Sequence, residues 1–213
     1  MIATARSRLP MPFPTVHRID SSRLLLRPVE AADLPDLMAV NGDPEVTRFL
    51  PYDTWKSLED GEAWLARSAA LGTSGTGQLF ALVAKPDAKV LGTLVLFRYE
   101  EASRRVELGY VLGRAHWGKG LMTEAIQAAC ACAFDDLGIR RIEAEVNPEN
   151  LPSCALLTRI GFTFEGRLRK RWVAKGIDYD TNIYGWLAED RLAAGAAGAG
   201  GAERRGSDHG RTE

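Results

Sequence analysis

The chain has little of several things that would have assigned its class at once. It contains three cysteines in 213 residues, an odd number too small to build a disulfide framework. Cys130, Cys132 and Cys154 each fall in a helix-like stretch and are expected as reduced, partly buried thiols, not as a disulfide or a metal site. Charge of one sign is missing as well. Lys and Arg number 27 against 28 Asp and Glu, and a net charge of −1 gives no global attraction to nucleic acid or to an anionic membrane. No apolar run approaches the roughly 18 residues that a spanning helix needs. The first twenty residues hold Arg6 and Arg8 but lack the continuous apolar segment of an export signal. These absences lead to the expectation of a soluble, cytoplasmic protein with no metal, no membrane and no direct nucleic-acid partner.

What is present is an ordinary globular balance, 46% apolar and 26% charged, on a length that suits one well-buried domain. Residues 1–20 carry Pro10, Pro12 and Pro14 and read as an extended arm. Residues 191–213 are Gly/Ala-rich and then polar; they bury too little surface to offset the entropy of ordering and are expected to be disordered. The domain proper is expected over 21–190.

Within it, strand and helix signals alternate. Residues 23–27 read as a strand. Asp33 stands where it can cap a short helix with Pro35 in its first turn, Asp43-Pro44 restarts a helical turn, and Ser57 with Asp60 opens a helix to Gly72. Residues 79–84, 90–97 and 105–112 are strand-like and joined by short turns, hence antiparallel neighbours. Residues 121–137 place apolar side chains at helical spacing and end at Gly138. The strand that follows, residues 140–146, comes after a helix and is expected to lie parallel to residues 105–112. A short helix from Pro152 to Gly161 and a hairpin turning at Lys175-Gly176 complete the unit. The expected fold is mixed α/β: a mainly antiparallel sheet of six to seven strands, one parallel pair at its centre, and about four helices.

The stretch RVELGYVLGRAHWGKGL, residues 105–121, carries the chemistry. A strand ends in a glycine-bearing turn that feeds directly into a helix, where backbone N–H groups lack internal partners and the dipole is positive. Gly118 and Gly120 permit close approach of a phosphate, with Lys119 between them. Residues alone leave three readings. The run from Gly113 nearly matches the G-x-x-x-x-G-K-[ST] loop of nucleotide triphosphatases, but Gly120 stands where that loop needs a magnesium-binding hydroxyl, and the preceding strands look like hairpins. The turn could also be a helix start and nothing more. The third reading is a pyrophosphate site of another kind.

The ordered set Trp117-Gly118-Lys119-Gly120, Thr123-Glu124-Ala125, Asn147-Pro148-x-Asn150-x-x-Ser153 and Gly161-Phe162 resembles the GNAT acyltransferase superfamily, and most of all its branch of ribosomal-protein N-terminal, spermidine and aminoglycoside acetyltransferases. The likeness covers roughly residues 23–187. One position departs: Ala115 stands where the common loop pattern has Gln or Arg, with Arg114 beside it.

The resemblance implies acetyl-CoA as cosubstrate, a splayed central strand pair, and transfer of the acetyl group to a primary amine, on a protein N-terminus or a small molecule, directly within a ternary complex. It implies that Tyr110, Val111 and Leu112 offer backbone groups to pantetheine. His116, Trp117, Gly118, Lys119, Gly120, Leu121 and Met122 would wrap the pyrophosphate, and Asn147, Asn150 and Ser153 would meet the pantetheine arm from the other side. Asn147 also reads as a turn residue and Asn150 as a helix cap. Glu107 is the candidate base for the acceptor amine, or else a surface carboxylate paired with Arg105 or Arg141. Ser153 is the candidate acid for the leaving thiolate, or else a first-turn serine bonded to backbone. The phenol that many members carry four residues before Gly-Phe is Leu157 here, and a noncatalytic acyl-CoA-binding module on the same fold is the alternative function. The acceptor pocket is expected from Tyr52, Asp53 and Trp55 and from Trp172, Asp178, Tyr179 and Asp180. A homodimer is compatible with all of this.

Overall fold

Alternation in the strands decides which helices lie where. The structure, a computed structural model, describes residues 11–191. Its elements, in order, are β1 (Ile19–Asp20), β2 (Leu24–Pro28), α1 (Leu34–Asn41), α2 (Pro44–Thr47), α3 (Leu58–Thr73), β3 (Gln78–Ala84), β4 (Val90–Glu100), β5 (Arg105–Leu112), α4 (Leu121–Asp135), β6 (Arg141–Val146), α5 (Leu151–Ile160), β7 (Thr163–Ala174) and β8 (Ile177–Leu187). Two 3-10 turns, Ala31–Asp33 and Arg114–His116, precede α1 and α4. The strands form one sheet in the order β1-β2-β3-β4-β5-β6-β8-β7. Only β5 and β6 are parallel, and α4 makes the crossover between them.

On β3, Phe80 and Leu82 enter one core while Ala81 and Val83 enter another, as the two-residue period requires. The first core takes its helical side from α4 and α5 through Ala125, Ile126, Ala129, Ala133, Leu157 and Ile160. The second takes Leu34 and Leu37 of α1 and Trp64 of α3. Trp55 belongs to it too, its ring centroid 5.4 Å from that of Trp64.

The sheet has eight strands where six to seven were expected, and five α-helices stand beside it where about four were expected. The added strand is β1, at the end of the arm. Phe13, Val16 and Ile19 are buried in the first core, so the described part of the arm is extended yet packed. Prolines remove donors from that segment, and the Gln78 amide supplies what a neighbouring strand would have. It accepts from Val16 N at 2.8 Å and donates to Val16 O at 2.5 Å. The expectations for residues 1–10 and 192–213, including the disordered tail, lie outside the described residues.

One cap differs from expectation. Asp33 makes no side-chain bond into α1. Its carboxylate is taken by Arg27, at 2.8 and 2.7 Å, and by Glu30 N at 2.8 Å, so it closes the preceding 3-10 turn. Ser57 and Asp60 do form the capping box of α3. All three cysteines are free thiols, with Cys130 buried. No helix among the described residues is long and apolar enough to cross a membrane.

One feature of the sheet positions the site. The pairing of β5 with β6 covers Arg105↔Arg141, Val106↔Ile142 and Glu107↔Glu143 and then stops. β5 stays paired to β4 as far as Leu112, and β6 to β8 as far as Val146. The facing edges of residues 108–112 and 144–146 are therefore parted.

Candidate active site

The parted edge of β5 runs into the glycine turn. Gly113 N donates to Leu91 O at 2.9 Å, ending the strand, and the Trp117 indole N–H donates back to Leu112 O at 2.7 Å. Gly118 and Gly120 adopt left-handed backbone, φ +72° and +73°, which glycine reaches without strain. Between them they turn successive amides outward. Helical bonding of α4 begins with Glu124 N to Gly120 O, at 3.1 Å. The N–H groups of residues 118–123 have no acceptor among the described residues, and Gly120, the N-cap, supplies no side chain to them. Six open amides at the positive end of a 15-residue helix have the geometry of an anion cradle.

Arg23 holds this cradle in place. Its guanidinium donates to Lys119 O at 2.9 Å and to Glu124 Oε2 at 2.6 Å, and its own N–H donates to Glu124 Oε1 at 2.6 Å. Partial burial resists ionisation of Glu124, but the bonds from Arg23 and Ser21 outweigh it and hold the carboxyl below its ordinary range. Leu121 and Met122 bury their side chains in the first core and can offer only backbone. His116 is held toward the neutral imidazole by burial and by the nearby Lys119 and Lys89.

Across the gap, Asn150 caps α5, its Oδ1 accepting from Ser153 N at 3.3 Å, and Asn147 Oδ1 accepts from Glu149 N at 2.9 Å. Cap and turn roles are thus both occupied, while the two amide nitrogens make no bond among the described residues. Ser153 Oγ lies 2.6 Å from the Tyr110 hydroxyl. Burial pushes the Tyr110 phenol up to about 12 although the serine bond opposes this. Leu157 is fully buried core one turn further along α5. A phenol is therefore present near Ser153, but it comes from β5.

Glu107 lies on the opposite face of the sheet and is buried. Its expected partners are not its partners: Arg105 and Arg141 both bind Glu143, at 2.5 and 2.7 Å. Glu107 instead accepts from Arg98 Nη1 at 2.6 Å. Arg98 sits where β4 slips register between Phe97 and Glu100, at φ +53°, and the bulge swings its side chain over this face. Burial raises the Glu107 carboxyl above its ordinary value; Arg98 opposes the shift, and Glu145 and Glu143 reinforce it. Sequence reading missed Arg98 and Glu145. The alternation in RIEAEV was the available signal, since Ile142 and Ala144 go to the core and Glu143 and Glu145 must go to the face of Glu107.

Among the expected acceptor residues, Trp172 donates its indole N–H to Glu145 Oε2 at 2.6 Å, beside Glu107. Trp55 is core, and Tyr52 is half-buried with its hydroxyl on Asn41 Oδ1 at 2.9 Å. The Tyr52 hydroxyl is thus already engaged within the protein. Asp178 pairs with Lys170 Nζ at 2.9 Å, and Asp180 accepts from Lys170 N. Lys175, at the tip of the β7–β8 hairpin, donates to Thr47 O at 2.8 Å and ties that tip to α2. Along β7, Arg167 binds Asn182, and Arg171 binds Glu145.

The geometry is a wedge between two strands, an anion cradle at its mouth, a hydroxyl pair on one face and carboxylates on the other. Comparison with known proteins agrees with it. Residues 23–163 match the family model described as the acetyltransferase (GNAT) domain. The chain is 34% identical over 170 residues to an uncharacterized N-acetyltransferase, p20, from Bacillus licheniformis, covering 80% of this chain and 96% of that protein. A crystal structure of a GCN5-related N-acetyltransferase from Brucella melitensis superposes with a TM-score of 0.79 at 28% identity, over 88% of this chain and 86% of that one. The spermidine N-acetyltransferase of Vibrio cholerae, solved with CoA and spermine, shares the fold at 21% identity, with a TM-score of 0.69 over 80% of this chain and 98% of that one. The nucleotide triphosphatase reading of the glycine loop falls with these matches. The chain belongs to the GNAT family of acetyltransferases.

Proposed function

We propose that the chain transfers an acetyl group from acetyl-CoA to a primary amine, with donor and acceptor bound together. The carrying observation is the parted β5–β6 edge, unpaired from residue 108 onward, which leads into six open amides at the start of α4. A chain of alternating amides such as pantetheine fits an unpaired strand edge, and a diphosphate fits the cradle. In this reading the backbone of Tyr110, Val111 and Leu112 receives pantetheine, residues 116–122 hold the diphosphate, and Asn147 and Asn150 turn their amide nitrogens to the arm.

Glu107 takes the proton from the acceptor ammonium, directly or through water. Its buried setting supports this, because a raised carboxyl is a better base for the purpose. The Ser153–Tyr110 hydroxyl pair returns a proton to the departing thiolate. A relative solved with spermine and another named for acetylating a ribosomal protein support an amine acceptor, small or at a protein N-terminus. Acceptor-dependent release of CoA across peptides, polyamines and aminoglycosides tests the reading. Tight acetyl-CoA binding with no turnover on any of them would replace it with the noncatalytic module, a reading to which the absence of a phenol at Leu157 lends support.

A further inference from the structure

Glu107, Glu145, Phe97 and Trp172 together have the composition of a site for an organic cation, and that site already holds one. The Arg98 guanidinium lies 2.6 Å from Glu107 and 3.5 Å from Glu145, with its centre 5.1 Å from the Trp172 ring and 5.4 Å from the Phe97 ring. The two carboxylates are buried, and the occupant is partly open to solvent. Side-chain exposure is 9% for Glu107 and 13% for Glu145 but 41% for Arg98. Nor do the walls depend on Arg98 equally. Glu143 is satisfied by Arg105 and Arg141, and Glu145 by the Trp172 indole and Arg171 at 3.3 Å. Glu107 has Arg98 alone among the described residues.

We propose that Arg98 is an internal stand-in for the acceptor: a cationic amine displaces its guanidinium from Glu107, and this exchange selects acceptors that carry a positive charge. The proposal rests on the acetyltransferase reading above and names its acceptor class. Once Arg98 has left, Glu107 is a buried carboxylate whose hydrogen-bonded cation is the acceptor's ammonium. One proton then passes from the ammonium nitrogen to a Glu107 oxygen. The neutral amine attacks the thioester carbonyl, the carbon–sulfur bond breaks as the carbon–nitrogen bond forms, and the second amine proton ends on the CoA sulfur. The charged groups facing Glu107 in this exchange are Arg98 from β4, Arg105 from its own strand, Glu143 and Glu145 from β6, and Arg171 from β7. Arg98 is thus a positioning residue that decides when Glu107 is free.

The test is Arg98→Gln beside Arg98→Lys, each checked for folding by circular dichroism. The two acceptors are 1,4-diaminobutane, cationic at neutral pH, and 4-methoxyaniline, uncharged there. For Arg98→Gln the KM for the diamine should fall about tenfold while that for the aryl amine moves less than about twofold. The acidic limb of its kcat/KM profile should move to higher pH, as Glu107 loses its counterion, and Arg98→Lys should restore the wild-type limb. A diamine KM that is unchanged or raised in Arg98→Gln, or an unmoved acidic limb, overturns the proposal. If neither acceptor turns over in the wild-type protein, the wider panel of peptides, polyamines and aminoglycosides decides the acetyltransferase reading by itself. Diamine binding followed by tryptophan fluorescence then decides the exchange: tighter binding to Arg98→Gln supports it, and equal or weaker binding overturns it.

Discussion

The two sides of the strand wedge are built from different materials. The cradle at the head of α4 is backbone: open amides on residues 118–123, oriented by two left-handed glycines and steadied by Arg23. The face around Glu107 is side chain: three carboxylates, four arginines and an indole, nearly all bonded to one another. A backbone site is specified by conformation and tolerates change in the residues that line it. A side-chain site is specified by register and charge balance, and one substitution changes what it accepts.

Four measurements would break or sharpen that contrast. The largest effect belongs to the side-chain face: Glu107→Gln should lower kcat about 100-fold or more with little change in acetyl-CoA affinity, since it removes the base and leaves the cradle intact. Second, Gly118→Val should weaken CoA binding on the order of 100-fold by calorimetry with the fold retained. No heavy atom lies within 4 Å of an added Cβ there, so the cost is the φ of +72° and not a clash. Third, Glu124→Gln should weaken CoA several-fold, about 1 kcal/mol, by releasing Arg23. The Glu124 carboxyl is depressed in the folded protein, so its brace is present above the ordinary carboxylate range and is lost as pH falls through the depressed value. Wild-type CoA affinity should drop in that acid window, and the affinity of Glu124→Gln should not. The smallest effect is the sharpest for the comparison: Lys119→Ala should change CoA affinity by only about two- to threefold, because its exposed ammonium adds screened charge to a site that amides already hold. A loss like that of Gly118→Val would mean that a side chain, not the backbone, holds the diphosphate.

The same contrast explains what was readable in the chain. The glycine turn was legible because glycine spacing and an apolar helical period report backbone conformation directly; the β3–β4–β5 meander followed from loop lengths, and the parallel β6 from the helix before it. Arg98 was not legible. Its reach to Glu107 depends on a register slip in β4 and a left-handed arginine, and no local preference announces either. Tyr110 was read for its backbone, and its hydroxyl meets Ser153 only after α5 is docked 43 residues later. Asp33 was read as the cap of α1 because a lone Asp before a helix is that; Arg27, six residues earlier, claims it instead. The arm reads as extended from its prolines, which say nothing of the burial of Phe13, Val16 and Ile19.

The wedge itself has a thermodynamic consequence. Each of its two edges is anchored on its far side, β5 by β4 and β6 by β8, so the opening is maintained by hydrogen bonds that no visitor disturbs. A guest strand entering there has no closed ladder to pry apart and forfeits none of its affinity to reorganisation. In the proposed reaction the donor's berth stands ready before anything arrives, and the waiting falls to the other face, where the proposed exchange requires Arg98 to leave Glu107 first.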